Sequence, residues 1–388
     1  MSDSTEKVSN PRAEIDAIDD ELLRLLNKRA EIALRVGAAK TRDDASLCDH
    51  NREREVLTRL CRENPGPFDE QSIYSIFQRI IDESLHLQQA TYHEPLDVSG
   101  NTNASIREIA AHSRVAFFGE PGTFSEEATL GLLGGSGHTV SCPTFDDLFR
   151  AIEEDRADFI LTPLENTLVG SIHRCYDLLL DSSLHIVAEV LLPISHYLIS
   201  NANATIDTIE SVESHPAALG QCETFFSAHP NLRRIPANDT AGSVRRVVES
   251  GDPTRAAIGS RRAAESYGGK ILREHIEDHA ENFTRFALLS RDSFVSADGG
   301  KVSLVLRLRH QPGALHSALR PFVRRGINLI KIESRPIKGH PSQFNFYFDL
   351  QAPAKENELN AALDEIREQA DEVRFLGRYP TIELTSQP

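Results

Sequence analysis

Arg29 and Lys40 are cations set into an apolar stripe. Along residues 12 to 40 that stripe runs Ile15, Ile18, Leu22, Leu25, Arg29, Ile32, Val36 and Lys40, with the three-and-four spacing of one helix face never broken. A charge on such a face is costly unless an anion meets it. The two cations are close to three turns apart, about 16 Å between Cα atoms, so both can converge on one small anion. Arg12 lies about 25 Å before Arg29 and about a quarter turn round. A ligand role for Arg12 therefore belongs to a second site, in a partner chain. Asp49, Arg52 and Glu53 fall at i, i+3 and i+4 of a second helix. Ser84 and Gln88 continue the stripe of Ile73, Phe77 and Ile81 on a third. Three helices thus bring two cations, a small acidic and hydroxyl set and an amide to one interior point, an anion-binding site.

A second polar set gathers where apolar runs stop. VAFF at 115–118 leads into Gly119-Glu120-Pro121-Gly122-Thr123-Phe124-Ser125, with Ser125 as the expected N-cap of a helix whose backbone N–H groups suit a carboxylate. DFILTPL at 158–164 ends in Glu165-Asn166, with Gly170-Ser171 beyond. IESV at 209–212 leads to Ser214-His215-Pro216 and then Gln221-Cys222. RFALLS at 285–290 is preceded by Asn282-Phe283-Thr284. Polar side chains at strand ends are where open α/β sheets bind ligands.

Three blocks must position these residues. Residues 1–92 are helical in pattern, with helices expected at 12–40, 49–63 and 69–89. Residues 93–112 lose periodicity and read as a linker. Residues 113–292 alternate short apolar runs with helical patterns, the mark of an α/β domain with a largely parallel sheet. Residues 301–388 follow a βαββα order resembling a ferredoxin-like α+β sandwich. The first helix, about 45 Å of continuous apolar stripe, needs more cover than two shorter helices supply, so a dimer through this block is expected.

Composition narrows the class. The chain has 388 residues, 40% hydrophobic and 26% charged, which is ordinary globular material. A formal charge of −16 argues against nucleic acid as partner. No apolar run approaches the roughly 18 residues of a membrane helix, and the polar start has no hydrophobic leader, so a cytoplasmic protein is expected. Five scattered cysteines without a C-x-x-C pair suggest reduced thiols rather than a metal or disulfide framework. Nothing in the pattern calls for a metal or an organic cofactor.

Taken together, residues 10–90 resemble the all-helical chorismate mutases, through Arg12-x-x-Ile-x-x-Ile-Asp, Arg29, Val36-Gly37-x-x-Lys40, Asp49-x-x-Arg52-Glu53 and Ile80-Ile81-x-x-Ser84-x-x-x-Gln88. The resemblance implies that Arg29 and a partner's Arg12 hold the two carboxylates of chorismate. It places Lys40 and Gln88 at the ether oxygen, and Asp49, Glu53 and Ser84 near the ring hydroxyl with Arg52 in support. Residues 114–291 resemble the prephenate dehydratases, through F-x-G-x-x-G-T-F-S at 117–125, P-x-E-N at 163–166, S-H-P at 214–216, Q-C at 221–222 and N-x-T-R-F at 282–286. This implies a two-lobed fold of periplasmic-binding-protein type with its site in the cleft. Thr284 is then central to catalysis, Glu165 and His215 are candidate proton donors, Asn166, Ser214 and Gln221 orient substrate, and Phe286 packs on its ring. Gly313-Ala314-Leu315 and Glu333-Ser334-Arg335-Pro336 resemble the phenylalanine-binding segments of ACT domains, implying an allosteric inhibitor site between paired domains. The expected protein converts chorismate to prephenate and then to phenylpyruvate under phenylalanine control. The same fold acting on arogenate, or a solute-binding or amino-acid-sensing protein, are the alternatives, which assays on chorismate and on both dehydratase substrates separate.

Overall fold

The unbroken stripe folds as one helix, α1, Pro11–Arg42, in the computed structural model, which describes residues 11–42, 50–92, 106, 110, 112–135, 137–292, 299–353 and 356–385. Helix α2 (His50–Glu63) and helix α3 (Glu70–Tyr92) follow. The break between them is local chemistry. Asn64 Nδ2 donates to Phe68 O at 2.6 Å while its Oδ1 accepts from Gly66 N, and Asp69 caps α3 by accepting from Ser72 N at 2.7 Å. Helix α3 packs against both α1 and α2.

The chain falls into two compact units, residues 1–98 with 305–373, and residues 99–304 with 374–388. In the second, one sheet has the order β16-β5-β11-β3-β1-β2. Its strands are β1 (Arg114–Phe118), β2 (His138–Cys142), β3 (Phe159–Asn166), β5 (His185–Pro193), β11 (Phe283–Ser290) and β16 (Thr381–Glu383), with the short β4 (Gly170–Ser171) paired to β3. A second sheet, order β10-β6-β9-β7-β8, is made of β6 (Tyr197–Ser200), β7 (Ser211–Ser214), β8 (Arg233–Pro236), β9 (Arg255–Gly259) and β10 (Lys270–Arg273). The chain leaves the first lobe after β5 and returns as β11, so the site residues at 282–286 sit where the lobes join.

The expectation of a largely parallel sheet needs correcting. Strand β11 comes back antiparallel to both neighbours, β3 and β5, because it returns from the other lobe instead of crossing over through a helix. The strand expected at 209–212 lies at 211–214, since Ile206–Thr208 form a 3-10 turn that carries Ile209. Ser125 is not the N-cap of α4 (Phe124–Leu132). Thr123 is, because Glu126 three residues on completes the cap: Thr123 Oγ1 accepts from Glu126 N, and Glu126 Oε2 accepts from Gly122 N at 2.7 Å.

The C-terminal sheet has the order β13-β14-β12-β15. It is built from β12 (Lys301–Leu308), β13 (Leu329–Ile337), β14 (His340–Gln351) and β15 (Ala370–Tyr379), with two helices, Ala314–Val323 and Glu356–Arg367. The pattern is βαββαβ rather than βαββα. The residues after it do not stay with this block: β16 forms the edge of the first sheet, in parallel with β5.

Candidate active sites

In the helical block Arg29 turns inward. Its Nη1 donates to Ser84 Oγ and to Ile80 O at 3.2 Å, tying α1 to α3. Burial pushes its pKa down, and no carboxylate among the described residues offsets that cost. Gln88 is buried beside it on α3, with Nε2 donating to Ala33 O. Three predicted residues thus join the two helices on successive turns. Arg12 is exposed near the start of α1. Arg52 is exposed on α2 and pairs with Glu55 at 3.0 Å. Lys40 lies on α1 and Glu53 on α2, but their side chains, with Asp49, fall outside the described residues.

The cleft is built on amides. On β3, Asn166 Oδ1 accepts from the backbone N–H groups of Leu168 and Val169, at 3.1 and 3.0 Å, which fixes the orientation of its amide. Its Nδ2 must then face the other way, and donates to Asn282 Oδ1 at 2.8 Å and to Thr284 Oγ1 at 3.1 Å. Gln221, from the second lobe, donates Nε2 to Asn166 Oδ1 at 3.4 Å, and its Oε1 accepts from Asn282 Nδ2 at 3.2 Å. That same oxygen lies 2.7 Å from His196 Nε2, which is therefore the protonated nitrogen of the ring. One backbone turn thus dictates the orientation of four side chains. Thr284 uses an oxygen lone pair on Asn166, which leaves its own O–H available as a donor.

The neighbouring charges are ordered too. Glu165 and Arg285 are cross-strand partners on β3 and β11, and their charged groups approach to 3.9 Å. Three predicted residues take other places. His215 is exposed, and its Nδ1 accepts from Ala217 N at 3.2 Å, capping the short helix that Pro216 begins. Ser214 is buried and donates to Ile258 O on the adjacent strand at 2.7 Å. Phe286, expected against the substrate ring, is instead fully buried in the first-lobe core among Leu161, Val190 and Leu288, two residues further into β11 than Thr284 and past the register shift at Arg285/Phe286.

The cleft is gripped from both lobes. Ser260 Oγ donates to Gly122 O at 2.8 Å, Tyr267 Oη to Pro121 O at 2.7 Å, and Arg245 reaches Glu120 at 3.1 Å. Gly122 is required here: at φ +87 its absent Cβ would lie 2.9 Å from Ala263 Cα.

Comparison with known proteins fits this geometry. The family model described as chorismate mutase type II matches residues 11–89, prephenate dehydratase matches 115–294 and ACT domain matches 302–371. A bifunctional chorismate mutase/prephenate dehydratase of Neisseria gonorrhoeae is 34% identical, covering 99% of this chain and 100% of that one. The chain belongs to that bifunctional family. Among solved structures, the prephenate dehydratase of Arthrobacter aurescens in complex with L-Phe is 29% identical at TM-score 0.63, covering 69% of this chain and 90% of its own. GqqA, described as a novel type of quorum quenching acylase, is 31% identical at TM-score 0.64 over 69% and 98%.

Within this mutase–dehydratase, the sequence reading missed His196, and it gave Asn282 no role. His196 sits in the crossing between β5 and β6, 2% exposed, with Phe124 edge-on to its ring at 5.7 Å. Burial pushes its pKa down and keeps it neutral. Only its place after Pro193-Ile194, at the lobe crossing, hinted at it. In the ACT domain, Gly313 caps the helix Ala314–Val323 at φ +78, so Ala314 and Leu315 form that helix's first turn. Glu333 to Pro336 run along β13, the free edge of the sheet, where residues alternate between exposed and half-buried. Among the described residues no group of three metal-binding side chains occurs, and no helix is long and apolar enough to cross a membrane.

Proposed function

We propose that this chain rearranges chorismate to prephenate in its helical block and dehydrates and decarboxylates prephenate to phenylpyruvate in the cleft, with phenylalanine acting on the ACT domain. The observation that carries the reading is the amide lattice ending on the hydroxyl of Thr284. Prephenate aromatises when the C–C bond to its ring carboxylate breaks, sending electrons into the ring, and the ring C–O bond breaks at the far end. The departing oxygen takes up a proton and leaves as water. A hydroxyl donor locked in place by Asn166 stabilises that oxygen as charge builds on it, with no reorganisation during the reaction. Threonine is too weak an acid to surrender its proton outright, so Glu165, beside Arg285, supplies the proton that Thr284 orients. His215, committed to its helix, is the weaker candidate.

The mutase reaction asks for less. A Claisen rearrangement moves no proton, so fixed cations and an amide suffice to hold the compact conformer and steady the ether oxygen. In this reading Arg29, held by Ser84, serves with Gln88 and Lys40. The site takes Arg12 from a second copy. Ile15, Ile18, Leu22, Leu25, Ile32 and Val36 are 44–59% exposed along one side of α1, an apolar strip that a second helical block would cover. The functional unit is at least a homodimer, the ACT edge segments Gly313–Leu315 and Glu333–Pro336 bind phenylalanine between paired domains, and the protein works in the cytoplasm.

The experiment is direct. Purified protein given chorismate should release prephenate and then phenylpyruvate, and added phenylalanine should suppress the second product. Turnover of arogenate in preference to prephenate would move the dehydratase assignment to that substrate. Failure to consume chorismate would remove the first step.

A further inference from the structure

Glu189 lies at the centre of β5, 1% exposed, opposite Ala287 on β11 and paired with Thr381 on β16. A carboxylate so buried persists only with cations and donors around it. Arg285 Nε bonds one of its oxygens. The other accepts from Lys301 Nζ at 2.5 Å and from Thr381 Oγ1 at 3.1 Å, and the Glu189 backbone N–H bonds Pro380 O at 2.9 Å. Arg285 also donates to Tyr379 Oη at 3.2 Å, which in turn shares a hydrogen with Ser303 Oγ at 2.5 Å.

Two different regions meet on this carboxylate. Arg285 follows Thr284 in the chain, and its guanidinium lies 3.9 Å from Glu165. Lys301 and Ser303 begin β12, Tyr379 ends β15 and Thr381 begins β16, so these are the strands by which the chain enters and leaves the ACT sheet. The packing leaves no slack. A Cβ on Gly377 would stand 2.1 Å from Ile186 O, so β15 lies directly on β5.

We infer that Glu189 is a positioning residue for dehydration, through which the seating of the C-terminal strands sets Arg285 and, with it, Thr284 and the charge facing Glu165. Lys301 and Thr381 hold one oxygen so that the other stays on Arg285. Removing the negative charge leaves Lys301 and Arg285 close together without the anion between them, and lets the guanidinium shift toward Glu165. The cation facing the proton-supplying carboxyl then stands closer to it. The inference rests on the reading of Thr284 and Glu165 given above.

The test uses the full chain, whose mutase turnover reports on the quality of each preparation. Glu189→Gln should lower dehydratase kcat about tenfold or more with KM changed less than about twofold. It should also displace the pH–rate profile and weaken inhibition by phenylalanine about fivefold. Glu189→Asp should recover part of each loss, and Lys301→Met should reproduce them in smaller measure. Unchanged dehydratase kinetics in Glu189→Gln overturn the inference. So does a fall in rate with the pH profile and the phenylalanine response both unmoved, which marks a residue that only supports the fold. If circular dichroism shows Glu189→Gln unfolded, Lys301→Met decides alone, and a wild-type profile with a wild-type phenylalanine response overturns it. Parent protein inert toward prephenate would instead contradict the assignment of the cleft.

Discussion

The helical block and the cleft both have to hold a small dicarboxylate while a C–O bond breaks, and on the proposed assignment of their residues they do it with opposite materials. The block uses cations on helix faces, with Arg29 braced by Ser84 and Ile80. The cleft uses neutral groups, the amides of Asn166, Asn282 and Gln221 and the imidazole of His196, oriented in series from two backbone N–H groups. The reaction explains the difference. Charge on an ether oxygen is steadied by any nearby cation, whereas a departing hydroxyl needs a donor hydrogen pointing one way. The two also differ in completeness. An apolar strip on α1 is exposed in the block, whereas the amides of the cleft pair with one another within one chain.

That contrast can be broken site by site. Arg29→Met should lower mutase kcat by about a thousandfold and leave dehydratase turnover alone, measured on chorismate and prephenate separately. Equal losses in both reactions would show that the two sites are not independent. Asn166→Asp keeps the side-chain shape but removes the N–H groups that meet Thr284 and Asn282. Dehydratase kcat should fall about a hundredfold with mutase rates unchanged. Placing charge on the strip, as Ile18→Glu with Leu22→Glu, should yield a helical block that sediments as a monomer and has little mutase activity. A stable, active dimer in that variant would mean the strip is not the interface.

The smallest effect concerns stability. Glu127 on α4 is desolvated and faces Glu265, which raises its pKa from 4.5 to about 7. Between those values the folded chain keeps a proton that the unfolded chain has lost, so stability should fall as pH rises from 4.5 to 7. The loss is at most ~3 kcal/mol and smaller where the group meets solvent. Glu127→Gln should flatten that part of a denaturation-against-pH curve.

The two sites also differ in how far their sequences could be read. Helix period alone put Arg29, Ser84 and Gln88 on inward faces, because partners three and four residues apart share a side. No such rule reaches the cleft. Asn166 and Thr284 are 118 positions apart, and their contact depends on β11 returning antiparallel beside β3. Resemblance marked those two residues but not what joins them, and His196 stood in a lobe crossing with no pattern of its own. Phe286 in the core and His215 at a helix cap show the opposite difficulty: a motif names residues without saying what surrounds them. The final strand was invisible because three residues, Thr381–Glu383, carry too little periodicity to announce a partner in another block.

Thr284→Val tests the centre of this account, since it keeps the branched shape and removes only the hydroxyl. Supplied with chorismate, that protein should form prephenate at the parent rate and accumulate it, with phenylpyruvate formation lowered by two or more orders of magnitude, about 3 kcal/mol of transition-state stabilisation. Phenylpyruvate released at close to the parent rate would contradict the account.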